Sequence, residues 1–145
     1  NLYVVGGSHR EYCIPEVVNS LVKFDPIESA WDMRAPMFTA RSCCSAVAAC
    51  DMLHVIGGKD LSERARGALE CYDPDTDAWR RSQGMPTARY SCGAASIGSH
   101  LYVAGGRSRH ANVRGALESF DVLSQRWSTH AHMTVARAGC AAVAF

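Results

Sequence analysis

Ala68-Leu69-Glu70-Cys71-Tyr72-Asp73-Pro74, followed by Trp79 and by Met85-Pro86-Thr87-Ala88-Arg89, decides the fold because it recurs. Forty-eight residues on, Ala116-Leu117-Glu118-Ser119-Phe120-Asp121 leads to Trp127 and Arg137. Forty-eight residues back, Ser20-Leu21-Val22-Lys23-Phe24-Asp25-Pro26 leads to Trp31 and Arg41. Cys44, Cys92 and Cys140 keep the same step. One offset shared by so many positions is a tandem repeat, and a unit of roughly 40 to 50 residues built from short strands is the signature of a propeller blade.

The 145 residues hold three such units, at approximately 1–38, 39–86 and 87–134, with 135–145 expected as the first strand of the next blade. A closed propeller takes about four to eight blades, so the reading is all-β, three four-stranded repeats, half of a six-bladed ring. Asn1 in place of an initiator Met, and a start inside a strand, read as a chain cut from something longer. The two ends are complementary in kind. The remaining blades are expected on the parent chain, with the alternative that a second copy forms a homodimer completing the ring.

A formal charge of +1 argues against bulk nucleic-acid or membrane-surface binding. No apolar run approaches the roughly 18 residues of a bilayer span, and no secretory leader pattern is present. Three of the seven cysteines hold equivalent places in Ala-rich strands, which suits small core residues better than a disulfide framework. A reducing, cytoplasmic setting is the expectation.

Each unit opens with a short apolar strand, Leu2-Tyr3-Val4-Val5, Leu53-His54-Val55-Ile56 or Leu101-Tyr102-Val103-Ala104, expected to be buried on both faces. It closes on the pairs Gly6 and Gly7, Gly57 and Gly58, Gly105 and Gly106, where side chains are removed for a bend or a close backbone approach. Polar loops follow at 8–19, 59–67 and 107–115, the first three residues longer. The second strand alternates, with Leu69 and Cys71 on one side and Ala68, Glu70 and Tyr72 on the other, which reads as a less buried part of the sheet. Asp25, Asp73 and Asp121 cap turns, and Trp31, Trp79 and Trp127 cover the gaps between blades while keeping an N–H for an outside partner. The last strand is expected to start at the repeat arginine and run through small residues, 42–47, 90–95 and 138–143, which suits the crowded inner strands beside the channel. Recurrence of Arg41, Arg89 and Arg137 in every unit points to a structural task, such as hydrogen-bonding carbonyls at the blade junctions.

The run Leu69-Glu70-Cys71-Tyr72-Asp73-Pro74, Trp79, Met85-Pro86-Thr87-Ala88-Arg89 and Leu101-Tyr102-Val103-Ala104-Gly105-Gly106 resembles the Kelch repeat over a full unit. The chain is most similar to the Kelch domains of BTB-Kelch adaptors, six-bladed propellers that hold substrates for a cullin-RING ubiquitin ligase. That resemblance implies a protein or peptide partner, and a cullin contact through a BTB domain that this chain does not contain. It implies no cofactor. It also implies that contacts come from the loop after each glycine pair and from the positions after each repeat arginine. Those are Ser8, Lys59 and Arg107, then Ser42, Tyr90 and Ala138, with Cys43, Ser91 and Gly139 beside them.

The loops after the glycine pairs hold Arg10, Lys59, Arg64, Arg66, Arg107, Arg109 and Arg114 against Glu11, Glu16, Asp60 and Glu63, a net of +3. The Asp-containing turns hold Asp25, Glu28, Asp73, Asp75, Asp77 and Asp121 against Arg126, a net of −5. Antiparallel strands put these two loop types on opposite faces, so a basic face for an acidic peptide is expected, strongest at Arg107, Arg109 and Arg114. Tyr90 is a further contact candidate, weighed against a ring packed on the next blade. Catalytic readings fare poorly. Asp73, Asp75 and Asp77 lack the Gly and Glu of a calcium loop, His130 and His132 lack further metal ligands, and Cys43 and Cys44 read as buried and inert unless Cys43 is exposed. A cytoskeletal, actin-type scaffold and a Kelch-type enzyme such as a copper oxidase stand as alternatives.

Overall fold

A computed structural model describes residues 1–11 and 14–145, without the side chains of 10, 11, 14 and 15. The described chain is all-β. In order come β1 (Leu2–Val5), β2 (Ser8–Glu11), β3 (Ile14–Val17), β4 (Leu21–Asp25), β5 (Ala30–Arg34), β6 (Ser45–Ala49), β7 (Met52–Ile56), β8 (Leu69–Asp73), β9 (Ala78–Ser82), β10 (Gly93–Ile97), β11 (His100–Ala104), β12 (Leu117–Asp121) and β13 (Arg126–His130). Two sheets are four-stranded antiparallel meanders, β6-β7-β8-β9 and β10-β11-β12-β13. They are blades of a partial propeller, and their inner strands β6 and β10 approach each other.

The first repeat departs from the expected four strands. Its sheet is three-stranded, β1-β4-β5, with β1 at an edge. Its longer loop is not irregular: β2 and β3 pair as a hairpin from Ser8↔Val17 to Glu11↔Ile14. β1 is also not buried on both faces, since Leu2 and Val4 lie open on the side that no blade covers.

The inner strands start later than expected, at Ser45 and Gly93 rather than at the arginines. Cys43 and Ser91 adopt φ of 53° and 52°, and a left-handed residue breaks an extended run. Residues 135–145, expected as the next inner strand, form no strand.

The second strands are more deeply buried than their alternation suggests. Leu69, Glu70, Cys71 and Tyr72 are all almost wholly buried. Two neighbouring blades cover both faces of a middle sheet, so polarity at one position does not mark a wet face. A continuous core of Ile56, Leu69, Cys71, Met85, Leu101, Val103 and Phe120 joins the second and third sheets. Each fully buried aliphatic or Phe side chain contributes about 1.5–3 kcal/mol.

Glu70 and Glu118 are buried because the repeat arginines reach them. The Arg41 backbone belongs to the first blade: its carbonyl accepts from Gly7 N–H at 3.0 Å and its N–H donates to Val18 O at 3.2 Å. Its side chain enters the second blade, where Nη1 donates to Ala68 O at 3.0 Å and Nη2 lies 3.1 Å from Glu70 Oε1. That last approach is an ion contact with poor hydrogen-bond alignment. The other carboxylate oxygen accepts from Phe38 N–H at 2.8 Å. Arg89 repeats the arrangement one blade on, donating to Val103 O at 2.9 Å and standing 3.2 Å from Glu118 Oε2, while Thr87 Oγ1 donates to Glu118 Oε1 at 2.8 Å. Burial lowers the Arg41 pKa and the Glu70 charge offsets this. Arg137 stands apart, with an exposed side chain.

The tryptophans bridge the same junctions at the outer edge. Trp79 Nε1 donates to Ala35 O at 2.6 Å and Trp127 Nε1 to Gln83 O at 2.8 Å, each a carbonyl of the preceding blade. Trp31 makes no such bond among the described residues and is exposed. The glycine pairs meet the arginine backbone so closely that a Cβ at Gly57 would lie 2.5 Å from Arg89 O, with φ at 66°.

Candidate protein-binding face

The register separates two ends of every blade. Phe24, Tyr72 and Phe120 pair near the Asp-capped turns, whereas the glycine pairs close the opposite end. In the turns, Asp25 Oδ1 accepts from Ile27 N–H at 2.8 Å, Asp73 Oδ1 from Asp75 N–H at 2.9 Å and Asp121 Oδ1 from Leu123 N–H at 3.1 Å. Backbone bonds to Ile27 and Asp75 lead the causes that hold the Asp25 and Asp73 carboxyls below their ordinary range, and the Ser124 hydroxyl leads at Asp121.

At the glycine end, the second and third loops are each tied to the segment after the preceding repeat arginine. Ser42 and Lys59 exchange backbone bonds of 3.0 and 2.9 Å, and Tyr90 and Arg107 exchange bonds of 3.1 and 2.8 Å. Ser91 N–H donates to Cys43 O and Gly139 N–H to Ser91 O, both at 2.8 Å, so a backbone chain runs from blade to blade. Cys43, Ser91 and Gly139 all hold positive φ there. The nominated loop and rim positions therefore do share one face.

Their side chains are not equally free. Lys59 Nζ is 2.5 Å from Glu63 and sits 5.3 Å over the Tyr90 ring. The hydrogen bond to Glu63 raises the Lys59 pKa. Asp60 binds Arg66 Nη2 at 2.5 Å and accepts Arg64 N–H at 3.0 Å. Those contacts, the Arg64 bond first, lower the Asp60 pKa. The second loop thus neutralises two of its three cations internally, leaving Arg64 exposed and without an ion pair among the described residues.

The third loop has the same backbone and lacks both acids. Ser108 stands where the second loop has Asp60, and Ala111 where it has Glu63. Asp60 N–H to Arg64 O at 3.2 Å becomes Ser108 N–H to Asn112 O at 3.0 Å. Arg107 Nη1 finds only the Ala111 carbonyl, at 3.0 Å. Arg109 and Arg114 are exposed, and none of the three arginines has an ion pair among the described residues. Arg114 N–H donates to Gly106 O at 2.8 Å and Arg107 bridges Val113, which roots both at the base of the loop.

Other nominated residues fall less favourably. Tyr90 is buried, at 9% exposure, beneath Lys59 and is part of the packing. Ser42 is buried at 5%. Ser91 and Ala138 are half-buried, Ser8 is exposed at the start of β2, and the Arg10 side chain lies outside the described residues. Cys43, expected to be buried, is exposed and lines a cleft of about 330 Å³ with Ser8, His9, Ser42, Lys59 and Glu63. Burial raises the thiol pKa of its neighbour Cys44 and of Cys92. Sequence reading missed the neutralising role of Asp60 and Glu63. Its available signal was their replacement by Ser108 and Ala111 at the repeat offset.

A family model described as the Kelch motif matches residues 40–86 and 88–134, more than half of the chain. No curated protein sequence matches it. Among solved structures, that of YjhT superposes with a TM-score of 0.77 at 15% identity, over 91% of this chain and 49% of that one. This likeness is one of fold, and the chain spans about half the length of that structure.

Proposed function

Because the chain belongs to the Kelch-repeat family, whose repeats are generally interaction modules, we propose that it is a protein-recognition module whose glycine-end face binds an acidic peptide segment. The carrying observation is the contrast between two loops of equal geometry. Lys59 and Arg66 are held by their own carboxylates, whereas Arg107, Arg109 and Arg114 have none among the described residues. Guanidinium groups without an internal partner, rooted on a rigid blade, are suited to bidentate capture of carboxylates. Resemblance to BTB-Kelch adaptors supports the finer reading, in which the face presents a substrate to a cullin-RING ubiquitin ligase in the cytoplasm. The cullin contact then lies on a BTB domain outside this chain.

The test is fluorescence anisotropy with a labelled Glu/Asp-rich peptide and its Gln/Asn counterpart at several salt concentrations. Arg107→Glu with Arg109→Glu is expected to weaken the acidic peptide by about tenfold or more and to flatten its salt dependence. Equal binding of both peptides, or an unchanged affinity in the double variant, removes the proposal.

A further inference from the structure

We propose that an acidic peptide at the third loop is read by one apolar side chain as well as by charge, a specificity that rests on the reading of this face as an acidic-peptide site. The apolar residue, of leucine or phenylalanine size and next to a carboxylate, enters a cleft at the junction of the second and third blades. That cleft, of about 400 Å³, is lined by Pro86, Val113, Ala116 and Thr129, with the exposed Arg114 and His132 among its walls.

Two departures from the repeat shape it. Its counterpart 48 residues back, at the junction of the first and second blades, is lined by Thr39, Ala68, Glu70, Arg81 and Gly84 and holds only about 90 Å³. There Arg81, cross-strand from Glu70, lays its guanidinium 4.9 Å over the Phe38 ring. At the third blade Thr129 takes that register opposite Glu118, and Pro86 stands in place of Phe38. The long side chain that fills the smaller cleft is thus missing from the larger one. The second departure concerns charge. Arg66 is drawn to Asp60, with Nη2 2.5 Å from Oδ2. Its counterpart Arg114 has Ser108 in place of that acid, and lines the cleft without an ion pair among the described residues. Ser108 is 6% exposed and its hydroxyl has no hydrogen-bond partner, so it does not replace the lost carboxylate.

Both departures meet at one place and specify one occupant. Glu118 brings no free negative charge to the cleft, because Arg89 stands 3.2 Å from one oxygen and Thr87 Oγ1 donates to the other at 2.8 Å. The unpaired Arg114 therefore favours a carboxylate at the edge and opposes a cationic side chain. Walls of Pro86, Val113 and Ala116 favour an apolar anchor beside that carboxylate.

Fluorescence anisotropy of the full 145-residue chain with a labelled peptide of alternating Glu and Ala tests this, against counterparts in which each Ala in turn is Leu or Phe. At one position, Leu or Phe is expected to tighten binding by about tenfold or more, the scale of burying one such side chain. Thr129→Arg restores the side chain that fills the smaller cleft. Its added positive charge would by itself tighten every acidic peptide, yet it is expected to abolish the Leu or Phe advantage and leave the Ala peptide bound at least as tightly. Thr129→Gln, which fills the cleft without charge, is expected to abolish the same advantage. Equal binding of the Ala, Leu and Phe peptides overturns the proposal while leaving acid recognition in place. An advantage that survives both Thr129 variants overturns it too. Equal binding of peptides with Gln in place of Glu removes the acidic-peptide reading itself, and the proposal with it.

Discussion

Removing one member of the Arg89–Glu118 pair is expected to cost far more than the pair itself contributes. Both side chains are nearly inaccessible, at 0% and 3% exposure, with 3.2 Å between Nη2 and Oε2. In Glu118→Leu the guanidinium stays buried beside a new apolar surface, which costs about 3–5 kcal/mol. Arg89→Met strands the carboxylate and leaves Val103 O without its donor, with a loss of similar size. The double variant restores an all-apolar contact and is expected to fall within about 2 kcal/mol of wild type, giving a coupling of about 2 kcal/mol or more. Urea unfolding followed by far-ultraviolet circular dichroism, with m-values compared, reads all four proteins. The exposed Lys59–Glu63 contact is the comparator and is expected to contribute no more than about 1 kcal/mol. Single-variant losses in that surface range, or losses that simply add, would falsify the assignment of these arginines as blade-junction clamps.

Two further expectations concern the scaffold. His54 is fully buried, with Nε2 donating to Ala49 O at 3.1 Å, which leaves Nδ1 to accept from Cys71 Sγ at 3.2 Å. Burial first, with Arg80 adding to it, lowers its pKa from the ordinary 6.5, so the fold favours the neutral ring. The unfolded chain therefore binds the extra proton first. Its stabilising effect is complete above about pH 6.5 and is lost as pH falls through the lower folded pKa. His54→Gln should flatten the fall in denaturation midpoint between pH 7.5 and 5, and an unchanged slope contradicts this. Gly57 and Gly98 have similar φ, 66° and 57°, yet a Cβ would meet Arg89 O at 2.5 Å in the first and nothing within 4 Å in the second. Gly98→Ala is expected to cost about 1–2 kcal/mol from backbone strain alone. Gly57→Ala should cost clearly more in the same unfolding assay, and equal losses would show that the close approach carries no energy.

Much of the scaffold is legible in the chain because each repeat uses the same residue for the same local reason. An Asp that caps its own turn, a Trp on the outer strand and a Gly that alone tolerates positive φ are determined within a few residues, and the 48-residue step multiplies the signal. Inner-strand starts were misplaced because a single left-handed residue, Cys43 or Ser91, decides them, and nothing in its chemistry announces that φ. Glu70 looked like a wet position because alternation reports one sheet, whereas its burial comes from the arginine of the preceding repeat.

The candidate face divides in the same way. Composition and order alone determined that basic loops gather at one end of the blades and acidic turns at the other. Only the tertiary structure decided which cations are free, since Lys59 and Arg66 are neutralised by carboxylates whose reach depends on how the loop closes. It also decided that Tyr90 packs inward, and that Arg41 and Arg89 act across junctions between blades. Local periodicity follows from short-range sterics and hydrogen bonding, which the chain carries within itself. Partnership between distant side chains depends on where the whole fold brings them.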